Sequence, residues 1–203
     1  MIIVDIGACV GLFIDDCIEG YGIENIEAIY AFEPHKVNAD FLVKKYETND
    51  KIQIHPLAIS NFAGSAPFYK KWYNDKDGKS RGYDFAGNAG SSLKGEKTNV
   101  SNVYDLVEVM RISEFIQEQG LEKIDILKID SEGSEYDILE DIIENGIHTK
   151  IDKIYFEDHL RKVGSIRTKR EKVMGLVDSL GIQDKFYEQS DHLEYAPLEK
   201  KEP

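Results

Sequence analysis

The residues of this sequence able to do chemistry fall into a few short stretches, and the first is Asp5-Ile6-Gly7-Ala8-Cys9-Val10-Gly11. Glycines there let the chain turn tightly and let a ligand approach the main chain, and a helix that follows offers its free amides. A dinucleotide loop needs glycines at i, i+2 and i+5, whereas this one has them at i and i+4 with Cys9 in the middle slot. The bland alternative is a tight turn with no ligand. Glu33 ends the next apolar run, 22 residues after Gly11, where a carboxylate can accept both hydroxyls of a ribose or simply face solvent. Asp130, Glu132 and Glu135 crowd around Gly133. Three such acids can hold a divalent cation through oxygen, position a substrate, or favour a helix N-terminus through its dipole. The reading taken here gives Asp130 a ligand-binding role and assigns no metal. His159, two residues after Glu157, has a side chain suited to taking a proton near neutrality, against which stands a structural histidine bonded at a strand end. His35, His55, His148 and His192 have no such setting and read as core or surface.

These residues need a scaffold that brings strand ends together. Ile2 to Ile6, Glu27 to Phe32, Ile52 to Ile59, Ile124 to Ile129 and Ile151 to Phe156 read as strands, several apolar on both faces, as in a parallel sheet. Pro56 marks an irregular point in the third. Leu12 to Tyr21, Val37 to Tyr46, the segment carrying Tyr136, Leu139, Ile142 and Ile143, and Ile166 to Leu180 read as helices. Alternation of this kind predicts a doubly wound α/β sheet, with the chemistry at the carboxyl ends of its strands. Ser60 to Asn102 breaks the pattern, with one strand expected at Pro67 to Trp72 and the remainder read as a lid or substrate loop carrying Trp72, Tyr73, Tyr83 and Phe85. Val103 to Met110 reads as an extra strand, Ser113 as the N-cap of a short helix, and two weak strands near Phe186 and Tyr195 as closing the sheet. Aromatics in the loop can cover a sugar or a flat ring, or pack a hairpin.

Composition narrows the partners. The chain has 203 residues, 41% hydrophobic and 31% charged, which suits one globular domain over 1–203 with an insertion at about 60–103. Its formal charge of −13 repels phosphate backbones, so no nucleic acid is expected. The basic run Arg161, Lys162, Arg167, Lys169, Arg170 and Lys172 can meet an anionic substrate or form a solvated helix face. Cys9 and Cys17 are too few and too close to frame an extracellular domain. Asp5, Asp15 and Asp16 spoil any leader peptide, and no apolar run is long enough to span a bilayer. A cytoplasmic protein without membrane partners is expected.

Taken together, Val4-Asp5-Ile6-Gly7-Ala8 with Gly11, Phe32-Glu33-Pro34, Ala58-Ile59-Ser60, Gly90-Ser91-Ser92-Leu93, Leu127 to Glu135, and Glu157 with His159 resemble the FkbM family of methyltransferases, in order and over roughly residues 1–159. The resemblance implies a mostly parallel, seven-stranded, Rossmann-like sheet of the class I methyltransferase type, with a hairpin or loop inserted between core strands 3 and 4. It implies S-adenosylmethionine as cofactor and an oxygen on a small-molecule or carbohydrate acceptor. By the same resemblance Asp5, Gly7, Ala8 and Gly11 belong to the cofactor loop, Glu33 to the ribose, and Ala58 with Ile59 to the adenine edge. Asp130 would meet the cofactor's amino group and the acceptor. Apart from the resemblance, the fifth strand should end beside the fourth, so His159 is expected to flank the same cleft as the proton acceptor, with Glu132 also on the catalytic side. Cys9 stands where the family often has Asn. The chain also starts directly at its first strand, without the N-terminal extension of many members, so a minimal or truncated form is expected. Two rivals follow from the same residues: a nicotinamide-dependent oxidoreductase, and a catalytically silent module that binds S-adenosylmethionine.

Overall fold

The computed structural model describes residues 1–72 and 86–189. Six parallel strands form the main sheet: β1 (Ile2–Ile6), β2 (Ala28–Phe32), β3 (Ile52–His55), and, beyond an insertion, β7 (Ile124–Ile129), β8 (Ile151–Glu157) and β9 (Phe186–Gln189). Their order is β3-β2-β1-β7-β8-β9. The chain therefore winds outward from β1 to one side, crosses back, and winds outward from β7 to the other. The strand order reverses between β1 and β7, and such a switch point opens a crevice at the carboxyl ends of the two strands.

Side chains along a strand alternate between faces, and here both faces are covered. Ile3, Ile29 and Ile126 pack beneath α1 (Leu12–Tyr21) and α2 (Lys36–Lys45), through Phe13, Ile14, Cys17 and Leu42. Their neighbours Val4, Ile6, Tyr30, Phe32, Leu127 and Ile129 point the other way. There they meet α3 (Ile112–Glu118), α4 (Glu135–Glu144) and α5 (Arg167–Leu180), through Phe115, Ile116, Leu139, Ile142, Val173 and Val177. Burial on both sides is why these strands read as unbroken apolar runs.

The described part of the insertion is more ordered than its sequence predicts. β4 (Ala58–Ser60), β5 (Gly64–Lys71) and β6 (Val100–Arg111) make a second, three-stranded sheet in the order β4-β6-β5. Ile52 to Ile59 is thus two strands in two sheets. Pro56 has no N–H to continue the ladder, and the turn closes with Leu57 N–H donating to His55 O at 2.9 Å. Ser113 is not the cap of α3. It lies inside the first turn, where Asp141 of α4 accepts both its N–H and its hydroxyl at 2.9 Å. The basic run resolves into ion pairs: Lys169 with Asp137 and Glu140, Lys172 with Glu140 and Glu144, and Arg170 with Asp158 and Glu188. The strand expected near Tyr195, the aromatics Tyr73, Tyr83 and Phe85, and His192 lie outside the described residues.

Candidate active site

The cleft at the switch point has an empty volume of about 600 Å³, including the part open to solvent. Its floor is the end of β1. Gly7 turns with φ +81°, and Gly7 and Ala8 donate their N–H groups to Phe32 O at 2.9 and 3.1 Å, which ties the loop to the end of β2. A Cβ on Gly7 would fall 1.9 Å from the carbonyl oxygen of Asp130, so the glycine is needed first for the close approach of β7. Gly11 also has φ +81°, at the N-cap of α1, and a Cβ there would lie 2.5 Å from the Tyr46 hydroxyl, which donates to Gly11 O at 2.9 Å.

The placement of the expected loop residues splits accordingly. Gly7 and Cys9 line the cleft; Asp5, Ala8 and Gly11 do not. Ala8 packs in the core under α1 and α2. Asp5 is fully buried, 3.1 Å from Lys128 Nζ, and that ammonium also donates to Gly7 O at 2.9 Å. The pair fastens the glycine turn from below. Lys128 is the one basic residue of β7, and its burial beside Asp5 is what the sequence pattern alone does not show. Cys9 sits in the left-handed region at φ 51°, uncommon for a residue with a Cβ. Burial and the neighbouring Glu33 push its thiol up to about 11, which disfavours the thiolate.

Glu33 leaves β2 and turns back over the loop. One carboxylate oxygen accepts Cys9 N–H and the other accepts His35 N–H, both at 2.8 Å. Burial raises its pKa to about 7, against the two backbone donors that lower it. Each oxygen keeps a lone pair for another donor. Ala58 and Ile59, from β4, line the cleft beside it as expected. The opposite wall comes from the insertion: Phe68 and residues 88–91 with Leu93. This wall is built in. Ser92 pairs with Tyr69 through reciprocal backbone bonds of 2.7 and 2.9 Å, and its hydroxyl donates to Glu132 O at 2.7 Å. Asn38, buried on α2, accepts Gly87 N–H at 2.9 Å and donates to Asn88 O at 3.0 Å. In the described part of the insertion, residues 88–91 and Leu93 pack as part of the cleft wall. Asn38 gave no signal in the sequence, because its partners are far away in it, and Ser92 was legible only as part of the Gly90 to Leu93 motif.

At the end of β7, Asp130 keeps 30% of its side-chain surface open to the cleft. Burial raises its pKa to about 6, moderated by Lys128. Glu132 also lines the cleft, at φ 56°, a second residue held in the left-handed region. Burial would raise its pKa, but His159 and Lys97 outweigh that and hold it far below the usual carboxylate range. Lys97 itself is buried, with Nζ 2.9 Å from Glu132 Oε2 and donating to Gly90 O at 2.6 Å.

His159 lies behind these groups and does not line the cleft. Its Nδ1 bonds Glu135 Oε1 at 2.9 Å, and its Nε2 stands 3.0 Å from Glu132 Oε2 and 3.2 Å from Glu157 Oε1. Burial alone would lower its pKa, yet the surrounding carboxylates push it up to about 12. This departs from the expected role: a proton acceptor must be within reach of the substrate, and His159, behind the carboxylates that line the cleft, is not. Glu135, in turn, accepts Gly133 N–H at 2.9 Å and Ser131 N–H at 3.2 Å, which closes the turn before α4. It braces this turn by direct hydrogen bonds.

A parallel sheet covered on both faces, a cleft at its switch point and a strand-end carboxylate holding a glycine turn define a Rossmann-like α/β protein. The chain belongs to the FkbM family of methyltransferases: the methyltransferase FkbM domain matches residues 5–186. Its fold is similar to the crystal structure, at 2.20 Å resolution, of methyltransferase FkbM from Methylobacillus flagellatus KT. The two share 19% identity with a TM-score of 0.54, over 86% of this chain and 36% of that one. This chain thus spans about a third of that protein's length. No curated protein matches it. Among the described residues, no helix is long and apolar enough to cross a membrane.

Proposed function

We propose that this protein transfers the methyl group of S-adenosylmethionine to an oxygen of a small-molecule or carbohydrate acceptor in the cytoplasm. The observation that carries the reading is Glu33, buried at the cleft, each oxygen anchored by one backbone donor and each with capacity left for a ribose hydroxyl. A second feature supports it. Asp130 Oδ1 is buried with no hydrogen-bond partner among the described residues, and an amino group would satisfy it. The donor set therefore suits a nucleoside that carries a cationic amino acid.

In this reading Glu33 holds the ribose, Ala58 and Ile59 side the adenine, Gly7 and Cys9 carry the turn under the methionine end, and Asp130 with Glu132 faces the amino group and the acceptor. The cofactor supplies a methyl group already activated by its sulfonium. What remains for the protein is to hold an acceptor oxygen in line with that methyl and exclude water, and such positioning alone is worth several kcal/mol. Asp130, with its pKa raised toward neutrality, replaces His159 as the group that takes the acceptor's proton. Asp5, Ala8 and Gly11 act indirectly by shaping the turn.

The oxidoreductase rival loses support because Gly7 and Gly11 are explained by packing against Asp130 and Tyr46, with no third glycine at dinucleotide spacing. Thermal unfolding with S-adenosylhomocysteine or NAD+ separates the two. A ligand at about 100 times its Kd adds ~2.7 kcal/mol of apparent stability. Stabilisation by the first and not the second is expected, and the reverse would replace the reading. Methyl transfer to a panel of hydroxylated acceptors then separates an enzyme from a silent binding module.

A further inference from the structure

Three glutamates surround the ring of His159, one on Nδ1 and two on Nε2. Glu135 is fixed by backbone donors from Gly133 and Ser131, so it must act as acceptor for Nδ1–H. In a neutral ring the lone pair then resides on Nε2. That nitrogen is 1% exposed with the rest of the residue and makes no hydrogen bond among the described residues, although Glu132 Oε2 and Glu157 Oε1 stand 3.0 and 3.2 Å away. Glu132 Oε2 is likewise buried, with Lys97 Nζ 2.9 Å away on its other side. Three electron-rich atoms thus converge on one point. Around it, ion-pair contacts join Glu132 to Lys97 and Glu157 to Lys162, while Lys128 stands between Asp5 and Asp130.

We propose that His159 Nε2, Glu132 and Glu157, with Asp130 on the cleft side, form a binding site for one divalent cation of the Mn2+ or Mg2+ class. Ligands about 2.1 Å from an octahedral cation stand about 3.0 Å from one another, close to the separations seen here. Ligand atoms of Asp130, Glu132 and His159 all lie within 4.8 Å of each other. Glu135 supplies the carboxylate that metal-bound histidines commonly engage through their other nitrogen. One imidazole among carboxylates favours Mn2+ over the strictly oxygen-seeking Mg2+. The sequence reading assigned no metal because it took His159 as a base and did not bring Glu157 to Glu132. The site does not depend on the methyl-transfer reading.

The test is titration of chelator-stripped protein with Mn2+, followed by loss of the free-ion paramagnetic resonance signal. One saturable Mn2+ per chain is expected, with nitrogen modulation from one imidazole in its pulsed spectrum. Glu132→Gln should weaken binding at least tenfold, while Asp40→Asn, on the exposed face of α2, should change it less than twofold. No saturable binding, bound Mn2+ without nitrogen modulation, or equal binding by Glu132→Gln would each overturn the proposal. Should Glu132→Gln fail to fold by circular dichroism, the pulsed spectrum of the unaltered chain decides alone.

Discussion

Replacing Gly7 with alanine should destabilise the fold by about 2 to 5 kcal/mol, and the structure separates two contributions. Gly7 has φ +81°, and placing a Cβ in the left-handed region costs an alanine ~1 to 2 kcal/mol. The same Cβ would also sit 1.9 Å from Asp130 O and 2.9 Å from Asp130 C, so the ends of β1 and β7 must part. Overpacking of that kind typically costs ~1 to 3 kcal/mol. Gly181 provides the control: it has φ +65° at the end of α5, and nothing lies within 4 Å of a Cβ there. Gly181→Ala should therefore show the backbone cost alone. Urea unfolding of both variants at unchanged m would give the difference directly. The reasoning fails if Gly7→Ala is no less stable than Gly181→Ala. A Gly7→Ala protein of normal stability that had lost cofactor affinity would mean that the glycine makes room for ligand rather than for Asp130.

Three further outcomes follow from the cleft. Glu33 has its pKa raised to about 7, so its acceptor form is scarce at pH 6 and dominant at pH 8; S-adenosylhomocysteine affinity by calorimetry should rise about tenfold over that interval, and stay flat in Glu33→Gln. Asn38→Ala removes the acceptor of Gly87 N–H, so hydrogen exchange at that amide should accelerate at least tenfold, and an unchanged rate would mean that the 86–90 wall is held by something else. Asp141→Ala strips Ser113 of two buried bonds and should cost about 2 to 4 kcal/mol in urea unfolding, with cofactor affinity altered less than twofold because no residue of α3 lines the cleft.

Much of the scaffold was legible because its signals are local. Ile2 to Ile6 and Ile124 to Ile129 are β-branched runs that only a sheet buried on both faces would bury, and strand ends then point to Gly7, Glu33 and Asp130 without further information. All three line the cleft. What misled was sequence distance. Gly11 and Asp5 lie in the same short motif as Gly7, yet one meets Tyr46 and the other Lys128, partners that no spacing rule supplies. His159 carries a pKa suited to a base in water. Its surroundings come from three separate glutamates, and they invert that expectation. The insertion looked irregular because β6 pairs with β5 across a gap of 28 residues and with β4 in parallel, contacts that leave little periodicity within the segment itself.

The central claim, that S-adenosylmethionine binds in the cleft between the ends of β1 and β7, is tested most directly by ultraviolet cross-linking of the methyl-tritiated cofactor followed by peptide mapping. Label that S-adenosylhomocysteine competes away, carried on peptides containing Gly7 to Cys9, Glu33 to His35 or Asp130 to Ser134, is the predicted result. No competable label, or label confined to peptides that do not line the cleft, would contradict it.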